Sequence, residues 1–236
     1  MAIRVEKDPM GMGGKAWYVE SPADLEKLPK EAASLLTDRA VEIFRDAPAS
    51  LAKMAAEAPL ESMGRWLESL AGARCELEVF ATKHYGRDCR LRFHFDEGPS
   101  PSFRAVAGKA RLACPEIVTR IHAITGHIDF QFGCSGTLVA LDELQTLKEL
   151  VKEQRVLNFD ELETTVAQYP ELGDYVGVFE TDGDWLCTNA EGRSIWVGGE
   201  WLGDDLVESA LDLSSILEGF FDALAGRTYF RPSVDE

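Results

Sequence analysis

The period of the apolar residues changes near residue 74, and few folds accommodate both halves. Upstream, residues 22–71 are rich in Ala, Leu, Glu and Lys and repeat at helical spacing. Leu36, Ala40, Ile43 and Phe44 share one face, as do Met63, Trp66, Leu67 and Leu70. Pro29, Pro48 and Pro59 interrupt this stretch. Each predicts a helix boundary or a first-turn position, because proline lacks the amide that an interior turn needs. Downstream, Leu77, Val79 and Ala81 alternate with Glu76, Glu78 and Thr82, and Leu91, Phe93 and Phe95 alternate with Arg90, Arg92 and His94. A period of two predicts half-buried strands, here joined as a hairpin through residues 84–88. The expectation is an α+β fold, with a helical N-terminal part followed by a mostly antiparallel sheet and flanking helices. Residues 1–16, with Gly11, Gly13 and Gly14, read as a flexible lead.

Beyond the hairpin the pattern is mixed. Pro115 opens a predicted helix with Ile117, Val118, Ile121 and Ile124 inward and His122 on its polar side, and Gly126 ends it. Two short strands are expected at 127–132 and 137–141, then a helix over 142–155. Three further strands, 175–181, 184–189 and 194–197, are separated by Asp182-Gly183 and Glu191-Gly192-Arg193 turns. A closing helix carries Leu213, Ile216, Leu217, Phe220, Phe221 and Leu224, with Ser215 and Glu218 at capping-box spacing and Gly226 as its stop.

Charge is divided unevenly. The chain of 236 residues has 24 Lys and Arg against 41 Asp and Glu, a formal balance of −17. Residues 160–236 hold only Arg193, Arg227 and Arg231 against 18 acids, so nearly the whole excess sits in the last third. A field of that sign repels phosphate backbones and argues against direct nucleic-acid binding. It suits a basic protein partner, since opposite fields steer encounter, although the total by itself is explained as well by solubility. The five cysteines are scattered with no CxxC pair, which points to reduced thiols rather than a disulfide framework or zinc site. No apolar run approaches the roughly 18 residues that span a bilayer. No membrane association and a cytoplasmic location are expected.

Local catalytic patterns fail on spacing. Gly133-Cys134-Ser135-Gly136-Thr137 has threonine where a nucleophile elbow has glycine. Gly13-Gly14-Lys15 lacks the upstream glycine and the following hydroxyl of a P-loop. Asp182-Gly183-Asp184 lacks the remaining ligands of a calcium loop. His84, His94, His122 and His127 form no metal-binding pair. No catalytic residue, metal ligand or cofactor is assigned, and the expectation is a non-enzyme.

The order of elements from residue 112 carries a resemblance. Leu112-Ala113-Cys114-Pro115-Glu116, a helix closed by Gly126, two strands and Leu138-Val139-Ala140-Leu141-Asp142-Glu143-Leu144 look like the SUKH superfamily pattern. So do the run from Val178 to Trp185, the Glu191–Val197 hairpin, Gly199-Glu200-Trp201 and the closing helix with Phe220 and Phe221. Cys114 stands where the pattern has leucine, and residues 1–110 have no counterpart in a minimal member. The resemblance implies a helical extension over 1–72 and a SUKH-like domain over 73–236. It implies an immunity protein that binds a cognate secreted toxin and occludes its active site; a regulatory adaptor or secretion-linked chaperone is the alternative on the same fold. With the acidic tail, it points to Asp182, Asp184, Trp185, Glu200, Trp201, Asp204 and Asp205 as partner-binding residues. The competing assignment for Trp185 and Trp196 is core packing, since strand tryptophans bury readily. Trp201, after two glycines, is expected to be exposed. The sequence fixes neither the toxin nor the oligomeric state.

Overall fold

In the computed structural model, the residues described are 3–7, 9, 13–82, 87–98, 100–105, 108–132, 134–181, 183–198 and 211–228. Two strands open the chain, β1 (Arg4–Lys7) and β2 (Gly14–Val19), so part of the glycine-bearing lead is sheet rather than flexible coil. Gly14 shows why: a Cβ there would stand 2.2 Å from the Ala81 carbonyl oxygen, so only glycine lets the strands close at that point. A 3₁₀ turn (Pro22–Lys27) and four helices follow, α1 (Lys30–Ala33), α2 (Asp38–Arg45), α3 (Ala47–Ala56) and α4 (Glu61–Leu70). The prolines behave as expected. Pro29 is the residue before α1, Pro48 lies in the first turn of α3, and Pro59 precedes α4.

The sheet continues with β3 (Arg74–Thr82), β4 (Arg87–His94) and β5 (Ser102–Phe103). Helix α5 (Glu116–Thr125) leads to β6 (Ile128–Phe132), β7 (Cys134–Leu138) and β8 (Gln145–Thr146). Helices α6 (Leu147–Lys152) and α7 (Phe159–Gln168) precede β9 (Val176–Thr181), β10 (Asp184–Thr188), β11 (Arg193–Val197) and β12 (Leu211–Asp212), and α8 (Leu213–Gly226) closes the described chain. Every described pairing is antiparallel. The strands run in the order β1-β2-β3-β4-β5-β6-β7-β9-β10-β11-β12, with β8 also on β9. The mixed α+β class read from the sequence is what the chain adopts. No break in the sheet falls at residue 72, because β2 pairs with β3 from Gly14 to Val19.

Strand alternation sorts the residues onto two faces. One face carries Trp17, Leu77, Val79, Leu91, Phe93, Phe103, Ile128, Phe179, Leu186 and Trp196, all buried. Helices α4 and α8 lie over it. Trp66 meets Phe103 and Phe221 at ring-centroid distances of 6.2 and 5.5 Å, and Phe220 meets Phe179 at 5.0 Å. The Glu218 carboxylate accepts from the Ser62 amide and so caps α4 across this contact. Glu218 was read as the partner of Ser215 in a capping box. Instead Asp212 accepts from the Ser215 amide and hydroxyl, which leaves Glu218 free to serve the other helix.

Two other expectations change. The helix read over 142–155 begins only at Leu147, because Thr146 and Glu149 form a reciprocal capping box there. His122, read on a polar helix side, is fully buried. The turn after β7 covers that side, bringing the Val139 backbone and Asp142 against the ring.

Candidate functional site

The second sheet face divides into two regions of opposite character. Its β1–β6 half is a ladder of opposite charges. Arg92 grips Glu78 with two nitrogens at 2.6 and 3.2 Å, and His94 Nε2 lies 3.0 Å from Glu76 Oε2. Arg90 reaches Asp88 at 2.9 Å and Asp129 at 3.3 Å, while Arg104 joins Asp88 to Glu143 at 2.8 and 2.9 Å. Glu76 and Glu78 are 3% exposed, and each has a cation or imidazole beside it. Tyr18 donates to Glu6, and burial together with that carboxylate pushes its phenol up to about 12. Cross-strand pairing puts such side chains within about 5 Å of one another, so opposite charges are the stable choice. Each acid of the ladder has a cation or imidazole beside it, so much of its field is offset locally.

One end of the ladder holds a chain that sequence spacing did not reveal. Ser100 Oγ lies 3.3 Å from His94 Nδ1, and Nε2 of the same ring meets Glu76. Three segments contribute one residue each, which is why no local motif announces it. The hydroxyl sits just past the roughly 2.6–3.2 Å at which a base takes a proton, and the contact fixes the ring between strand and loop. Among the described residues no group of three or more His, Cys, Asp or Glu is placed to hold a metal ion. The Cys75 thiol is pushed up to about 12 by burial, and Cys89, Cys114 and Cys187 are raised for the same reason, so these thiols are poor nucleophiles.

The β9–β11 half of this face is covered by α6, with α7 packed outside it. Of the residues assigned to partner binding, Asp184 and Trp185 are described; Asp182, Glu200, Trp201, Asp204 and Asp205 lie outside the described residues. Trp185 is 1% exposed, and its indole N–H donates to the Arg155 carbonyl at 2.9 Å. Its ring leaves so little room that a Cβ on Gly177 would stand 2.6 Å from it. The structure therefore gives Trp185 its core role, with no ring face turned to solvent, and Trp196, on the neighbouring strand β11, is buried on the opposite face. Asp184 is partly buried, its carboxylate lying over Gly198, where a Cβ would meet Oδ1 at 2.1 Å.

What faces solvent here is α7 and the loops at its two ends. Asp160, Glu161, Glu163, Glu171 and Asp174 there, and Glu191 in the β10–β11 turn, are exposed, and none takes part in an ion pair among the described residues. Residues 153–193 include ten acids and two arginines. Between α6 and α7 runs a groove of about 650 Å3 floored by Val151, Phe159 and Val166, with Lys148 and Lys152 on one wall and Asp160 and Glu163 on the other. Leu157, in the loop entering α7, is 47% exposed beside the β9–β10 turn.

Compared with known proteins, the chain matches no family model, no curated protein and no solved structure. No helix among the described residues is long and apolar enough to cross a membrane.

Proposed function

We propose that the chain is a binding protein that works through an acidic surface rather than through bond chemistry. Within that class we infer an immunity protein, acting in the cytoplasm, whose partner is a basic toxin domain held with its active cleft covered. The observation that carries this reading is the contrast between the two regions of one molecule. Acids on the β1–β6 face are paired with arginines and His94, whereas Asp160, Glu161, Glu163, Glu171 and Asp174 form no ion pair among the described residues, with only Lys148 and Lys152 across the groove from Asp160 and Glu163. An unneutralised field costs a little stability, keeps the chain soluble, and attracts and orients an oppositely charged partner. Toxins that attack nucleic acid carry basic surfaces to hold a polyanion. A surface of opposite sign competes for those side chains. The resemblance of residues 112–226 to the SUKH pattern supports the same reading.

The test is direct binding and protection. The purified chain is mixed with the toxin domain encoded beside its gene, association is followed from about 0.1 M to about 1 M salt, and co-expression is scored for survival. The Debye length shortens from about 10 to about 3 Å over that range, so the on-rate should fall steeply. Absence of binding at the lower salt together with absence of protection overturns the proposal.

A further inference from the structure

We propose that Leu157 is the apolar anchor of this interface, and that it enters a shallow apolar pocket on the basic partner. The inference rests on the binding reading above and names the residue that would give that surface its grip. Among the described residues only Val5 and Leu157 are large apolar side chains with substantial exposure, 49% and 47%. Val5 belongs to the first strand of the sheet, between Arg4 and Glu6. Leu157 stands where the acidic α7 surface meets the turn that carries Asp184.

The loop that presents Leu157 is held in place on both sides. Gln154 and Asn158 bracket it with φ of 56° and 55°, the left-handed region that asparagine tolerates and glutamine seldom adopts. Val156 is 4% exposed and plugs the loop into the core. The Leu157 amide donates to the Gly183 carbonyl at 3.1 Å, the Arg155 amide donates to Leu150 at 2.9 Å, and the Arg155 carbonyl accepts from Trp185. The Arg155 guanidinium is tied to the Gln145 side chain and lies 5.2 Å from the Trp185 ring. With Val156 buried and both neighbours of the loop anchored, the Leu157 side chain is turned outward along Gly183. A Cβ at Gly183 would stand 3.0 Å from Leu157 Cγ, so the glycine there both makes the turn, at φ 89°, and leaves space for the leucine.

Such an arrangement lowers the entropy lost on binding, because the anchor is already ordered in the free protein. The charge around it selects the occupant. Asp160, Glu161 and Glu163 follow within two turns of α7 with no basic residue in that helix. A partner pocket ringed by Lys or Arg therefore fits this surface, and one ringed by acids is repelled. In the groove beyond, Lys148 and Lys152 oppose Asp160 and Glu163, so the partner's basic groups belong on the α7 side.

The experiment measures association and dissociation rates of the neighbouring toxin domain on wild type, Leu157→Ala, Leu157→Asp, Asp160→Lys/Glu161→Lys and Val5→Asp. Circular dichroism melts verify that each variant is folded. Leu157→Ala should raise Kd about tenfold through the off-rate, and Leu157→Asp more, as expected of a central apolar contact. The double lysine variant should act chiefly on the on-rate, and Val5→Asp should match wild type. If wild type binds and both Leu157 variants bind within about twofold of it, the anchor is wrong while the immunity reading stands. If wild type does not bind, the anchor falls, and where co-expression also gives no protection the immunity reading falls with it.

Discussion

Acid should destabilise this protein in a pH range where carboxylates are still ionised, and the cause is two buried histidines. His122 is fully buried, and its ring nitrogens face the backbone of Gly126 and Val139 without a hydrogen bond of good geometry. Burial lowers its pKa from 6.5 to about 4, against the opposing pull of those backbone groups and of Asp142, with Arg104 adding to the fall. His127 is lowered well below its usual value by burial, then by Arg90, Arg104 and His122, and its Nδ1 has no partner. Between pH 6.5 and about 4 the unfolded chain binds a proton at His122 that the folded chain refuses. Stability therefore falls as pH falls through that window and is flat above it. For His122 alone the loss from pH 7.5 to pH 5 is about 2 kcal/mol, at 1.36 kcal/mol per pKa unit, and His127 adds in the same direction. The carboxylates held below their usual range, Asp24 and Asp212, act at lower pH and do not blur the result. Urea unfolding at pH 7.5 and 5.0, on wild type and His122→Phe, measures the difference directly. The variant should lose the His122 share of the slope, and ring resonances of His122 should shift only below about pH 5. A wild type equally stable at both pH values, or a His122 ring titrating near 6.5, refutes the reasoning.

Two further changes test the packing beneath the candidate site. Gly177→Ala places a Cβ 2.6 Å from the Trp185 ring and 2.9 Å from Leu150 Cδ1, so it should cost about 1–3 kcal/mol in urea unfolding. A gain in stability, as where alanine only restricts the unfolded chain, contradicts that crowding. Trp185→Phe removes the indole donor to the Arg155 carbonyl and some buried volume, for a loss of about 1–3 kcal/mol. Amide exchange at Leu157 should quicken in the same variant; unchanged protection there means the tryptophan does not hold the loop.

Legibility in the sequence followed the strength of the local pattern. Alternation marked β3 and β4, glycine-bearing turns set off β9, β10 and β11, and helical spacing marked the buried faces of α4 and α8. The opening strands were hidden by glycines, which signal flexibility locally but here serve the close approach of Gly14 to Ala81. The extent of α6 turned on Thr146 and Glu149, a cap inside a stretch whose apolar spacing continued past it. His122 was misplaced because a helical wheel shows one buried face, while α5 is covered on a second side by the turn at Val139. At the candidate site, the sequence located the acidic turn at Asp184 and left Trp185 between core and surface. It gave no sign of Leu157, since a single leucine in a loop carries no period. Its exposure follows from the Val156 plug and the left-handed bends at Gln154 and Asn158, which only the folded chain shows.

The charge on α7 is best understood against what a stabilising helix surface would contain. Asp160, Glu161 and Glu163 have Thr164, Thr165 and Ala167 four residues on, positions where lysine or arginine would add a few tenths of a kcal/mol each. The first-turn acids gain from the helix dipole, but Glu163 lies farther in and gains less. Elsewhere the same chain pairs its acids closely, as Glu78 with Arg92 and Asp88 with Arg90 and Arg104. A helix without such pairing, in a protein that pairs its acids elsewhere, is what the proposed encounter with a basic partner calls for. The field extends over about a Debye length and acts on approach, whereas Leu157 acts only at contact. On the proposed reading, rate of arrival and time of residence would be divided between two adjacent stretches, α7 and the loop that enters it.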